Sequence, residues 1–280
     1  MPKNLYYFLV IIICVYLVIL LITGGFTFQI GKITLSSHRS GTPILLLILL
    51  IGIQFVSSSD FRKSVSALLG RMTYNHRYFL AFILSLLFIE TILGCLHLVF
   101  YRRILAFDLD REFTFATYFS AFLFFANSLV VGTIYQLQRK SNEASKRGWY
   151  IAFVFFCLAL DEAGRFHESL IPLLKRNVPS LDSILNSNKY WVVVLSPFIV
   201  LTIIYFTWFL LKKLKVYTWI FTGFVMAIFL WMFIIGLELW EGYTSSTYKY
   251  KSLVEEESEM LSSTLFLTCF LAFFKKLNKP

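Results

Sequence analysis

The sequence predicts an all-α fold, a polytopic integral membrane bundle of about eight transmembrane helices. Three observations carry that expectation. Of the 280 residues, 58% are hydrophobic and only 15% are charged, more apolar surface than a soluble core absorbs. The apolar residues come in runs long enough to cross a bilayer, which takes about 20 residues with a range of about 17–25. The lysines and arginines behind the net charge of +10 fall in short connectors between those runs. That pattern orients membrane helices, so the expected surroundings are the lipid bilayer of a cell membrane, and no nucleic-acid partner is expected.

The first span, 5–23, reads LYYFLVIIICVYLVILLIT after a single lysine. It is longer than the apolar region of a signal peptide and lacks a small-x-small cleavage site, so it is expected to be retained. The second, 42–57, is short and could be re-entrant; charge decides for a crossing. Further spans are expected at 79–101, 114–137, 148–170, 190–211, 217–239 and 257–274. With eight crossings and a cytoplasmic N-terminus, the inner connectors hold 15 basic residues against Asp60 and Glu143, and the outer ones 11 basic and 13 acidic residues. Without the second crossing Arg62 and Lys63 would move outside and the later bias would fade, so both termini are expected in the cytoplasm. Pro197 removes one backbone hydrogen bond from the sixth span and should bend it. Cys14, Cys95, Cys157 and Cys269 each lie inside an apolar run with no CxxC pair, the pattern of small packed hydrophobes. No separate soluble domain and no internal repeat is visible, so 1–280 reads as one transmembrane domain.

The informative polar residues are acidic and sit at helix ends that open on the outer side. The fifth span ends in DEAGRFHE, bringing Asp161, Glu162, His167 and Glu168. The seventh ends in GLELWEGY with Glu238 and Glu241, and the eighth opens on EEESEM with Glu255, Glu256, Glu257 and Glu259. The third carries Glu90 near mid-depth and His97 seven residues on, on the same helix face. At about 100° per residue, Asp161 and Glu168 share a face, as do Glu238 and Glu241, Glu256 and Glu259, and Glu255 and Glu259. Carboxylates and histidines at such spacings on facing helices build metal sites in helical bundles. The candidate ligands are Glu162, His167, Glu168, Glu238, Glu256 and Glu259, with Glu90, His97, Asp161, Glu241 and Glu255 as further candidates. The implied cofactor is a divalent metal ion: iron, zinc, manganese or calcium. A solvated helix N-terminus explains Glu255 and Glu257 equally well, and Asp161 could simply pair with Arg165. Glu90 expects His97 or a basic side chain as its partner.

The order of Asp-Glu-x4-His-Glu at 161–168, an acidic helix end at Glu238 and Glu-Glu-x-x-Glu-Met at 255–260 resembles a family of uncharacterised bacterial multi-pass membrane proteins. The resemblance covers the chain from about residue 150 onward. It picks out Asp161, Glu162, His167, Glu168, Glu238, Glu255, Glu256 and Glu259 and implies a bacterial inner-membrane location. It implies no reaction, and it departs from the pattern where Ser262 and Ser263 stand in place of a glycine. A ceramidase-like zinc site fails, because the chain has four histidines and no HxxxH.

Three functions remain in view. A carboxylate- and histidine-rich metal site could serve a metal-dependent membrane enzyme. A proton- or cation-coupled transporter would use Glu90 as relay, against which the apolar inner halves of most spans count. An accessory membrane subunit would bind a basic partner through the acidic outer face.

Overall fold

Amphipathic and apolar stretches settle into nine helices among the described residues. The computed structural model describes residues 3–23, 26–30, 33–37, 41–101, 103–104, 107, 109, 114–140, 147–164, 166, 190–213, 217–244 and 249–278. In chain order the helices are α1 (Lys3–Thr23), α2 (Gly41–Ser57), α3 (Ser59–Tyr74), α4 (His76–Phe100), α5 (Phe115–Lys140), α6 (Arg147–Gly164), α7 (Tyr190–Lys213), α8 (Thr218–Thr244) and α9 (Lys249–Leu277). Four of them, α4, α5, α8 and α9, are long and apolar enough to cross a membrane, and α2 with α3 makes a fifth if that bent pair is one span. Each of the eight expected apolar segments overlaps a helix, the fifth only as far as Gly164.

Two elements differ from the expected pattern. Residues 26–37, read as a connector, hold an antiparallel hairpin of β1 (Phe26–Ile30) and β2 (Ile33–Ser37), with Phe26 opposite Ser37. Residues 59–74, also read as a connector, form α3, which turns 104° away from α2. Ser58 starts it: the side-chain oxygen accepts the Phe61 N–H at 3.2 Å, as an N-cap should. Arg62 completes the corner by donating from Nη1 to the Phe55 carbonyl at 3.0 Å and the Val56 carbonyl at 2.5 Å, which satisfies carbonyls the end of α2 leaves open.

α5 and α9 form the centre. α5 packs most extensively on α6, and α9 on α8 and α5; α4 leans on α9, α2 on α6, and α7 on α8. Phe155 of α6 is the aromatic hub. Its ring lies 5.4–6.4 Å from those of Phe124, Phe206, Trp231, Phe266 and Phe270, tying five helices together with edge and tilted contacts. Small residues let helices approach: a Cβ on Gly52 would lie 2.6 Å from the Phe156 ring, and one on Gly132 2.8 Å from Phe55.

The outer surface is rich in large apolar side chains, and the core carries polar ones among its apolar packing. Phe88, Leu201 and Phe229 are exposed, the last at 70%, whereas Ser120, Asn127, Ser262, Ser263 and Thr264 are buried. Asn127 of α5 donates from Nδ2 to the Ser263 carbonyl of α9 at 3.0 Å, and Ser128 to the Ala152 carbonyl of α6 at 2.8 Å. Polar side chains that bridge helices behind an apolar outer face are the packing that lipid favours.

Packing at the glycines is testable. Gly132→Leu should overfill the contact with Phe55 and cost about 1–3 kcal/mol, whereas Gly236, with nothing within 4 Å of its Cβ position, should accept Leu with little change. Detergent-unfolding midpoints of the two variants compare them directly, and equal midpoints would show that the Gly132 contact is not tight.

Candidate functional site

Helix periodicity turns six acidic residues toward one place. Asp161 and Glu162 in the last turn of α6, Glu238 of α8, and Glu255, Glu256 and Glu259 of α9 line a single cavity of about 220 Å³. Its inner wall is apolar, built by residues such as Phe124, Leu158, Phe198, Ile203 and Trp231. Thr117 and Thr202 add hydroxyls, and the Tyr150 hydroxyl lies 3.1 Å from that of Thr202. The cavity is therefore two-sided, with carboxylates around the mouth and rings and aliphatic chains beneath. Lys251 offsets part of the charge, its Nζ 3.2 Å from Glu255 Oε2, one helical turn away.

The eleven candidates separate into groups. Glu162, Glu238, Glu256 and Glu259 come together, and Asp161 and Glu255 join them. His167 and Glu168 lie outside the described residues, and Glu241 is in α8 one turn beyond Glu238. Glu90 and His97 do not line the cavity. Both are buried on α4, at 3% and 0% exposure. The expected basic or imidazole partner of Glu90 gives way to a hydroxyl from another helix: Thr264 of α9 donates to Glu90 Oε1. His97 serves the chain beyond α4, its Nδ1 accepting the Leu109 N–H at 2.9 Å while its ring stands edge-on to Tyr101 at 5.0 Å.

Glu257 was the residue hidden in the acidic run. It is two positions from both Glu255 and Glu259, about 200° around the helix, and so points away from the cavity. Its carboxylate packs on Gly94 of α4, where a Cβ would collide with it, and its charge is near enough to Glu90 to interact. Thr264, seven residues on, shares that face of α9.

Among the described residues, no three His, Cys, Asp or Glu side chains stand at the spacing of a metal-holding group. The six cavity carboxylates line a common space without converging on one point. A divalent ion there needs water or further protein ligands to fill its shell.

A family model covers residues 101–274. The chain belongs to the family described as a domain of unknown function, DUF8692. All six cavity carboxylates lie within the matched region, and Glu90, His97 and α3 precede it. No curated protein and no solved structure matches the chain.

Crowding six carboxylates has an energetic signature. Two like charges at 4 Å repel by about 1 kcal/mol even in a water-like medium. Glu259→Gln, which keeps the shape and removes a charge, should therefore raise the melting temperature of cation-free protein at neutral pH, with the gain shrinking in added salt. A lower melting temperature in chelator-treated samples would contradict the repulsion.

Proposed function

We propose that the protein is an integral membrane protein that binds a cation in the acidic mouth of this cavity, on the extracytoplasmic side. The single observation that carries the reading is the meeting of six carboxylates from α6, α8 and α9 over an apolar floor. The eight-span arrangement with both termini in the cytoplasm fits the way charge divides between the two ends of the bundle. Arg62, Arg71 and Arg139 lie together at one end and Lys275 and Lys276 beside His76 at the same end, opposite the carboxylates. Twenty residues of α9 separate Glu255 from Lys275, about 30 Å of helix, which equals the hydrocarbon thickness of a bilayer.

The cation in this reading is a divalent metal held by Glu162, Glu238, Glu256 and Glu259 together with His167 and Glu168. It would polarise a carbonyl or phosphoryl group of a lipid-soluble substrate resting on Phe124, Phe198 and Trp231. An organic cation with an apolar body is the second reading. It is favoured by the spread of the carboxylates, which form no three-ligand group among the described residues, and by Trp231 and Phe124 in the wall, whose faces attract cations. The relay reading for Glu90 has less support, since that carboxylate sits in the α4–α9 seam and does not line the cavity.

Elemental analysis of protein purified without chelators, beside Glu256→Ala/Glu259→Ala, separates these. Near-stoichiometric metal that falls by at least about tenfold in the variant, the loss expected when two charged ligands go, supports the metal site. Metal-free wild type that is heat-stabilised by dodecylamine, with the effect lost in the variant, supports the organic cation. Neither metal nor amine response in the wild type would sink the cation-binding reading.

A further inference from the structure

The opposite end of the bundle carries a second, larger cleft that the acidic cavity does not explain. It measures about 880 Å³ and runs between α3, the C-terminal end of α5, the start of α6 and Asn278 just past α9. Arg62, Lys63, Arg71 and Arg139 line it, and no carboxylate does so among the described residues. One face of α3 supplies one wall, because positions 59, 62, 63, 66, 67, 70 and 71 follow a helical repeat of three and four. Ser66 and Gly70 keep the middle of that face small, so the space between the cations stays open. Trp149 and Tyr135, with ring centroids 5.4 Å apart, close the far side.

The corner between α2 and α3 fixes this arrangement. Arg62 spends one guanidinium nitrogen on the two carbonyls at the end of α2, which leaves its other donors for the cleft, since the group carries five N–H bonds. Arg71 and Arg139 reach the same space from different helices. Arginines from two helices and a lysine line this one space, and phosphate oxygens accept paired N–H bonds from such guanidinium groups. A helix turned 104° from its predecessor lies along the surface if that predecessor crosses the bilayer, which sets the cleft at the depth of lipid phosphates.

We propose that this basic cleft is a binding site for a phosphate-bearing anion, at the opposite end of the molecule from the acidic cavity. Its source is either the headgroup of an anionic lipid or a soluble phosphate compound, and both present the same group to the same cations.

The test is native mass spectrometry and thermal-shift titration of the full chain in neutral detergent with two probes: dioleoyl phosphatidic acid and inorganic pyrophosphate. The compared variants are Arg71→Gln/Arg139→Gln, in the cleft, and Lys275→Gln/Lys276→Gln, which removes the same charge from the separate pocket beside His76 and Trp219. Arg62 is left intact because it holds the α2–α3 corner. Binding of at least one probe should weaken roughly tenfold or more in the cleft variant, as loss of two charge-assisted contacts requires, and change little in the lysine variant. Retention of phosphatidic acid alone identifies the lipid headgroup, and retention of pyrophosphate identifies a soluble ligand. No binding of either probe to the wild type, or equal weakening in both variants, would overturn the proposal. A cleft variant with an unchanged melting temperature shows that lost binding is not lost folding.

Discussion

Several polar groups of α9 find their partners on other helices, and much of the structure is arranged around those pairings. One face of α9 gives Glu255, Glu256 and Glu259 to the acidic cavity. A second gives Thr264 to Glu90 and Glu257 to Gly94 of α4. Farther along the first face, seven and eleven residues beyond Glu259, Phe266 and Phe270 join the aromatic hub, and the Ser263 carbonyl accepts from Asn127 of α5. An unsatisfied polar group costs more in an apolar medium than in water, so each pairing fixes both the rotation and the depth of a neighbour. A helix committed on two opposite faces has little freedom left, and the cavity inherits that rigidity.

The same economy explains why the two ends differ chemically. Carboxylates gather where α6, α8 and α9 end or begin, and guanidinium groups gather where α3 meets the end of α5. The buried length between them is almost free of ionisable groups, Glu90 and Glu257 excepted, and those two sit near each other in a seam with a hydroxyl donor and a glycine. Two chemically distinct sites can thus coexist on one small bundle without their fields cancelling locally, because about 30 Å of low-dielectric packing separates them.

Much of this was legible in the chain. The eight apolar runs announce themselves by length, and each overlaps a helix. The convergence of Glu162, Glu238, Glu256 and Glu259 followed from shared depth, which charge bias in the connectors supplies, and from three- and four-residue spacing. What stayed hidden depended on partners. α3 is amphipathic and basic, so it resembles a connector until the α2 corner and the Arg62 contacts make it a helix. The pairing of residues 26–30 with 33–37 needs a register that five-residue strands announce weakly. Glu90 could not be matched with Thr264 from sequence, because a threonine in an apolar run usually bonds its own helix, as Thr268 does to the Thr264 carbonyl.

The Phe155 hub has a further meaning for whatever enters the acidic cavity. Phe124 and Trp231 belong both to the cavity wall and to the ring of aromatics around Phe155. Close-packed interiors have low compressibility and pass displacement on to their neighbours. An occupant that pressed on Trp231 would have to move Phe155 and Phe266 as well, and with them α6 and α9. The walls of the cavity are therefore less a soft sleeve than a mould, stiffened by the packing behind them.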